Sequence, residues 1–197
     1  MPVSIIPSFL IYAYIGAITP GPANLCSLAS ALRYGRKAAL QQWKGIFFGF
    51  FVVSMCSVAV TYLLGTALNE YVSYLSWIGA AYILWMAWHM LRSSGIETDE
   101  NPDRPTFRRG LFVQLTNVKI MVYCLTAMSS YVLPYTDSFW WLLGVGLFMP
   151  FTGPIGNLIW LFAGASLQKL FSKYSKIVNV ILALSLAACA VSLLWPH

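Results

Sequence analysis

The stretch TPGPAN, residues 19–24, places Pro20 and Pro22 on either side of Gly21 in the middle of an uncharged apolar run. Each proline removes a backbone donor and clashes with the carbonyl four residues earlier, and the glycine lets the chain turn. The pattern predicts that a helix stops and restarts here. A helix that restarts near Pro22, with Asn24 in its first turn, directs free N–H groups and a positive dipole end outwards. Such an end can bind a carboxylate. The alternative is a proline kink that serves packing alone.

Lys119 is the second residue that could do chemistry, because it is the only charge inside an apolar run of membrane length. On insertion scales a charged side chain at the bilayer centre costs at least ~2.5 kcal/mol. None of the predicted spans contains Asp or Glu, so an ion pair within the membrane is excluded. A substrate carboxylate would supply the missing anion. The alternative is a lysine that reaches water through a cavity or contacts helix-end carbonyls.

A second set of helix breakers lies in MPFTGPIGN, residues 149–157, which ends in Asn157 and predicts a second break. Asn24, Lys119 and Asn157 lie nine, ten and twelve residues from the nearest basic residue at the end of their span, or ~14, ~15 and ~18 Å of helix. Three segments far apart in sequence therefore put polar or helix-breaking residues at one depth, near the membrane midplane. Secondary transporters bind their substrates in this layer.

The composition predicts an all-α membrane protein. Of 197 residues, 59% are hydrophobic and 9% are charged, which excludes an ordinary soluble domain. The apolar runs reach the ~20 residues that a spanning helix needs. They predict a single transmembrane domain over residues 1–197 with spans at 4–32, 45–69, 71–91, 110–135, 138–168 and 177–196, and a cytoplasmic loop at 92–109. The first run is expected to remain in the mature chain, because it lacks the basic n-region of a signal peptide.

The basic residues indicate the orientation of these six spans. Eleven of the twelve lie in the first, third and fifth connections, and none lies at the termini or in the other two connections. By the positive-inside bias these three connections are cytoplasmic, so both termini face outwards. The net charge of +6 thus reflects topology and lipid contact, and we expect no nucleic-acid partner. The chain contains no HExxH, GxSxG, Walker or His/Cys metal motif, so we expect no enzyme, metal or cofactor.

The TPGPAN segment followed by SALRYGRKAAL, the WIGAAYILWMAW span and the NVK segment together resemble the LysE (LysE/RhtB) family of amino-acid exporters over nearly the whole chain. Within that family, QLTNVKIMVYCLTAMSSYVLP is similar to members that export cysteine and O-acetylserine. The resemblance implies a multi-pass protein of the bacterial inner membrane. It also implies two inverted three-helix repeats with helices broken at the midplane, and efflux driven by the proton motive force.

The resemblance carries two motifs over by position. The family's PGPxN falls on Pro20, Gly21, Pro22 and Asn24, and its NPK falls on Asn117, Val118 and Lys119. Valine stands where the family has proline, so a break in span four is not forced. On an unbroken helix Asn117 and Lys119 would point ~200° apart, which puts joint contact with one substrate in doubt.

The main hypothesis is an alternating-access exporter of a small neutral amino acid, such as cysteine or O-acetylserine. Its substrate carboxylate would meet Lys119 and the helix start at 22–24, and its ammonium would meet freed carbonyls around Ile18 and Thr19. The proton that drives export would be carried by Lys119, or by water and loop groups. The expected partners are the substrate and the lipid bilayer, and a homodimer stays open. The predicted substrate-binding residues are Thr19, Pro20, Gly21, Pro22, Asn24, Asn117, Lys119 and Asn157.

A rival hypothesis from another class is a membrane thiol/disulfide electron conduit. Cys26 follows the predicted break in span one, and Cys124 follows Lys119. Membrane disulfide reductants also place cysteines near broken first and fourth helices. Cys26 is followed by Ser27 and is not bracketed by prolines, which weakens this reading. Replacing both cysteines with serine separates the two, because an exporter would keep export and a conduit would lose thiol exchange.

Overall fold

The computed structural model describes residues 3–18, 21–65 and 104–173, with side chains up to 166, and isolated helical positions within 74–88 and 177–191. These ranges are helical and contain no strand. A 3-10 turn at Val3–Ile5 precedes the first helix, and a second one lies at Met149–Phe151. The α-helices are α1 (Ile6–Ile18), α2 (Pro22–Leu64), α3 (Phe107–Leu115), α4 (Val118–Tyr131), α5 (Phe139–Phe148) and α6 (Gly153–Lys173).

The break predicted at the Pro-Gly-Pro segment is present. Helix α1 ends at Ile18, and α2 begins at Pro22 with Gly21 in extended conformation before it (φ −170°, ψ 174°). Proline fits the first helical position because its missing N–H would have no partner within the helix there. Thr19 and Pro20 lie outside the described residues. The chain therefore stops one helix and starts another within the first apolar run.

Helix α2 folds back on itself at Gly35, whose φ of 77° is one that glycine adopts without strain. On a straight helix Cys26 and Gln42 would be ~24 Å apart. Instead, Gln42 Nε2 donates a hydrogen bond to Cys26 Sγ at 2.8 Å, and Ser30 Oγ donates to Gln42 Oε1. Two helical halves, 22–34 and 36–64, thus form a hairpin. The basic connection between the first two predicted spans is helical on both sides of this turn.

The segment predicted as span four is broken, which answers the point that the sequence left open. Helix α3 ends at Leu115 and α4 begins at Val118, and the two are bent by 58°. No proline is needed, because a threonine hydroxyl can hydrogen-bond a nearby backbone carbonyl and so compete with the helix. Thr116 Oγ1 donates to the Phe112 carbonyl at 2.9 Å, and the Asn117 carbonyl starts the hydrogen bonds of α4.

The break predicted in MPFTGPIGN is absent, and the helix there only narrows to a 3-10 turn. The 3-10 turn follows α5 directly, Thr152 Oγ1 donates to the Met149 carbonyl at 2.8 Å, and α6 begins at Gly153. Residues Phe139–Ser166 together form one helical segment that is long enough to cross a membrane. The correction has a simple cause. Pro150 and Pro154 occupy the first turns of their helical segments, where a missing N–H breaks no hydrogen bond.

The described residues contain two helices that are long and apolar enough to cross a membrane, α2 and the α5–α6 segment, or three if the bent α3–α4 pair is one span. The class is therefore all-helical, with apolar spans. The count of six spans and the two inverted repeats stay predictions. Spans 71–91 and 177–196 lie outside the described residues except for isolated helical positions.

Helix α3 crosses the second half of α2 at backbone contact. A Cβ on Gly110 would lie 1.9 Å from the Gln42 carbonyl oxygen, and a Cβ on Gly45 would lie 2.0 Å from the Phe107 carbonyl oxygen. Glycine permits this approach because it has no side chain to separate the helices. The approach fixes the position of α3 against α2, and with it the start of the break in span four.

The alanine variant at this crossing should be destabilised. Gly110→Ala forces two backbones apart, so we expect a loss of about 1–3 kcal/mol in the free energy of unfolding. The matched control is Gly144→Ala on α5, where a Cβ meets nothing within 4 Å and alanine favours the helix. Melting temperatures of the purified proteins in detergent measure the difference. Equal melting temperatures for the two variants would contradict the close crossing.

Candidate functional site

A pocket lies where the two broken segments meet the start of α6. It encloses about 310 Å³ of empty space, part of it open to the surroundings. The end of α1, the start of α2, the α3–α4 break and the start of α6 all contribute to it. The lining residues are Gly16, Ala17, Gly21, Ala23, Asn24, Phe50, Gln114, Asn117, Lys119, Ile120, Gly153 and Asn157.

The pocket brings together five of the eight residues that the sequence nominated: Gly21, Asn24, Asn117, Lys119 and Asn157. Pro22 is buried at the start of α2 beside them, and Thr19 and Pro20 lie outside the described residues. Segments separated by more than 90 residues thus meet at one point, as the depth estimate predicted. The role of these residues in substrate binding stays a prediction.

Lys119 lies against the break between α1 and α2. Its side chain is 8% exposed, and Nζ donates a long hydrogen bond of 3.4 Å to the Gly16 carbonyl. A Cβ on Gly21 would lie 2.8 Å from Lys119 Cδ and 3.2 Å from Nζ. Any residue can adopt the extended backbone conformation of Gly21, but a side chain there would require the Lys119 side chain to shift. The absence of a side chain there lets the ammonium of span four reach the start of α2.

Three buried side chains join α1, α2 and α6 through hydrogen bonds. Ser27 Oγ donates to Asn157 Oδ1 at 2.7 Å, and Asn157 Nδ2 donates to Asn24 Oδ1 at 2.8 Å. Asn24 Nδ2 in turn donates to the Ala17 carbonyl at 3.1 Å. Buried networks of this kind hold their members in one arrangement, because a broken bond leaves a polar group without a partner. Asn24 and Asn157 therefore position the broken helix as well as line the pocket.

The carbonyl groups near the end of α1 accept hydrogen bonds from side chains of other elements. The four pairs are Tyr123 Oη to Ala13 (2.7 Å), Lys119 Nζ to Gly16 (3.4 Å), Asn24 Nδ2 to Ala17 (3.1 Å) and Trp160 Nε1 to Ile18 (2.9 Å). The bonds at Gly16, Ala17 and Ile18 cap the helix end, whose last four carbonyls have no partner within the helix. The Ile18 carbonyl, which the sequence suggested for a substrate ammonium, already receives one donor from Trp160, and its contact with a substrate stays a prediction.

Sequence reasoning missed Gln114, in the last turn of α3. Gln114 and Asn117 are 1% and 2% exposed, and no donor in the described part of the chain reaches Gln114 Oε1 or Asn117 Oδ1. Asn117 precedes α4 at the capping position, yet its side chain caps nothing. Buried amide oxygens without a partner are rare. The available signal was a second polar residue five positions before Lys119 in an apolar span.

The two cysteines of the rival hypothesis lie outside the pocket lining. Cys26 accepts its hydrogen bond from Gln42 inside the α2 hairpin. Cys124 is fully buried in an apolar core that includes Phe50 and Met128. A thiol buried among apolar groups is unreactive, because the thiolate is the nucleophile in disulfide exchange. These positions weigh against an electron conduit.

Comparison with known proteins gives one family. The model of the LysE type translocator family matches residues 14–196. The chain is 38% identical over 188 residues to the cysteine/O-acetylserine efflux protein of Klebsiella pneumoniae, covering 95% of this chain and 96% of the relative. It is 35% identical over 192 residues to the protein of that name from Escherichia coli K12, covering 98% of both. No solved structure matches the chain.

Proposed function

The chain belongs to the LysE family of translocators, which are integral membrane proteins and not enzymes, and from this membership we propose that it exports a small neutral amino acid from the cytoplasm. Cysteine and O-acetylserine are the first candidates, because relatives at 35–38% identity over nearly their full length are named as efflux proteins for these two compounds. The proposed location is the bacterial inner membrane, with both termini outside, as the distribution of basic residues favours.

The observation that carries the proposal is the positive charge at the pocket. The Lys119 side chain lines it, and so do residues of the first turns of α2 and α4. Helix starts carry a partial positive charge and backbone donors. An ammonium group and two helix starts that converge on one cavity favour binding of an anion such as a carboxylate. Broken helices bind substrate carboxylates in this manner in other secondary transporters.

The residues that line the pocket favour a small substrate. Four of them are Gly16, Ala17, Gly21 and Ala23, at the break itself, and the Phe50 ring packs against Gly153 on another side. We therefore expect an amino acid with a short side chain to bind more readily than one with a long basic or aromatic side chain.

The two breaks supply the movable parts of an alternating-access cycle. Residues that end or start helices absorb the changes in backbone angle when one segment moves against another. The α1–α2 and α3–α4 breaks both border the pocket, so a change at either alters access to it. Export is proposed to be driven by the proton motive force. The proton carrier is proposed to be Lys119 itself, or water and loop groups, because no acidic residue lies in the predicted spans.

Replacing Lys119 tests the carboxylate site. Lys119→Met keeps the length and apolar packing of the side chain, and should insert at least as well as the wild type because it removes a charge from the membrane. It should lose export of labelled L-cysteine by about tenfold or more, since a charged hydrogen bond is lost. Lys119→Arg should also fail, because the planar guanidinium does not fit a site shaped for a compact ammonium.

The measurement is the export rate from proteoliposomes per correctly inserted molecule. Lys44→Met is the matched control, because Lys44 is exposed on α2 and lies outside the pocket. It should export at the wild-type rate. If Lys119→Met also exports at that rate, the carboxylate site on span four is wrong, and only the broken helix at α1–α2 remains as a candidate.

The energy source is tested in the same proteoliposomes. With a pH gradient across the membrane, the wild type should move labelled L-cysteine against its concentration gradient. Collapse of the gradient by a protonophore should abolish uphill movement while exchange down the gradient continues, because the coupling ion no longer supplies free energy. Uphill export that persists without the gradient would refute proton coupling and would leave the assignment of the site untouched.

A further inference from the structure

Two buried amide oxygens at the α3–α4 break stand out from the other polar groups of the pocket. Gln114 Oε1 and Asn117 Oδ1 both belong to lining residues that are at least 98% buried, and neither receives a hydrogen bond from the described residues. An atom of this kind loses its hydrogen bonds to water on burial, and no new hydrogen bond offsets that loss. Two such atoms at one break require donors that the described residues do not supply.

The chemistry of these atoms defines the ligand group. Amide oxygens accept hydrogen bonds, so the missing partner is a donor. A protonated amine offers three N–H donors at one centre, and a bond from a charged donor is stronger than one from a neutral donor. The Ile18 carbonyl, which the sequence suggested for an ammonium, already receives a donor from Trp160. Gln114 Oε1 and Asn117 Oδ1 are buried side-chain acceptors on the pocket lining that receive no donor from the described residues.

We propose that Gln114 Oε1 and Asn117 Oδ1 bind the α-ammonium of the transported amino acid, opposite the carboxylate subsite at Lys119 and the helix starts. This inference rests on the proposed function and gives the site its second half. The pocket then recognises a zwitterion: positive groups bind its carboxylate, and neutral amide oxygens bind its ammonium.

The break itself makes this arrangement possible. Gln114 precedes it, Asn117 follows it, and Lys119 lies two residues further on. On a continuous helix the last two would point ~200° apart, yet with the 58° bend all three line one pocket. Neutral acceptors also suit a site that contains a lysine. A carboxylate at either position would attract the Lys119 ammonium and compete with the substrate for it.

The test compares two thiol compounds that differ in the α-ammonium. Unlabelled L-cysteine and 3-mercaptopropionate compete with the export of labelled L-cysteine from proteoliposomes. The measured quantity is the half-inhibiting concentration of 3-mercaptopropionate divided by that of L-cysteine. This ratio does not depend on the amount of inserted protein. In the wild type we expect a ratio of about ten or more, because 3-mercaptopropionate lacks the charged donor and loses its hydrogen bonds.

Gln114→Met, which keeps an unbranched side chain of similar length, should bring the ratio towards one. Its melting temperature in detergent should equal or exceed that of the wild type, because the substitution removes a buried polar atom that has no partner. Asn117→Leu should lower the ratio in the same way. The control is Leu115→Met between them, because Leu115 is exposed and lies outside the pocket lining, so the variant should keep the wild-type ratio.

Three results would overturn the inference. The first is an unchanged ratio in both Gln114→Met and Asn117→Leu, which would mean that water fills these positions during transport. The second is a clear fall in the melting temperature of Gln114→Met, which would show that its oxygen serves the fold. The third is a wild type that exports no amino acid, and this result alone would also remove the proposed function.

Discussion

The constraint on which this structure depends is the need to satisfy backbone groups where a helix is interrupted between apolar spans. In a lipid environment an interrupted helix is tolerated only when its freed N–H and C=O groups find partners in the protein or face a polar cavity. At the end of α1 the carbonyls find partners, since Lys119, Asn24 and Trp160 reach them from other segments. The starts of α2 and α4 instead border the cavity. The carbonyl end of α1 is thus capped, and the donor ends of α2 and α4 are left beside the cavity. This is the arrangement on which the proposed binding of a carboxylate rests.

Lys119 connects the two breaks. Its ammonium contacts the Gly16 carbonyl at the end of α1, and its stem fills the space that Gly21 leaves open. The polar network of Ser27, Asn24 and Asn157 holds the start of α6 in the same pocket. A charge that would be costly in lipid therefore lies at a backbone carbonyl, in a pocket that polar groups of three segments line. In the proposed function the substrate carboxylate binds at this point.

The sequence predicted the parts of this arrangement that follow from local chemistry. Two prolines around Gly21 break a helix whatever their surroundings, and the spacing from basic span ends put Asn24, Lys119 and Asn157 at one depth. Features that depend on tertiary contacts were beyond it. The break at Thr116 has no proline, and Gln114 becomes notable only when its oxygen is seen to be buried without a donor. The break predicted from the prolines of 149–157 was wrong, because the sequence does not show that these prolines lie in the first turns of their helical segments.

The central claim is that Lys119 binds the carboxylate of the substrate, and a chemical cycle tests it most directly. L-cysteine and L-cysteinamide differ at the carboxylate, and binding of each to the purified wild type and to Lys119→Met can be followed by the ligand-dependent rise in melting temperature. The account predicts that the wild type prefers L-cysteine by about tenfold or more, and that the variant binds the two compounds with similar, weak affinity. A preference of the same size in both proteins would contradict it, because the carboxylate would then be recognised without Lys119.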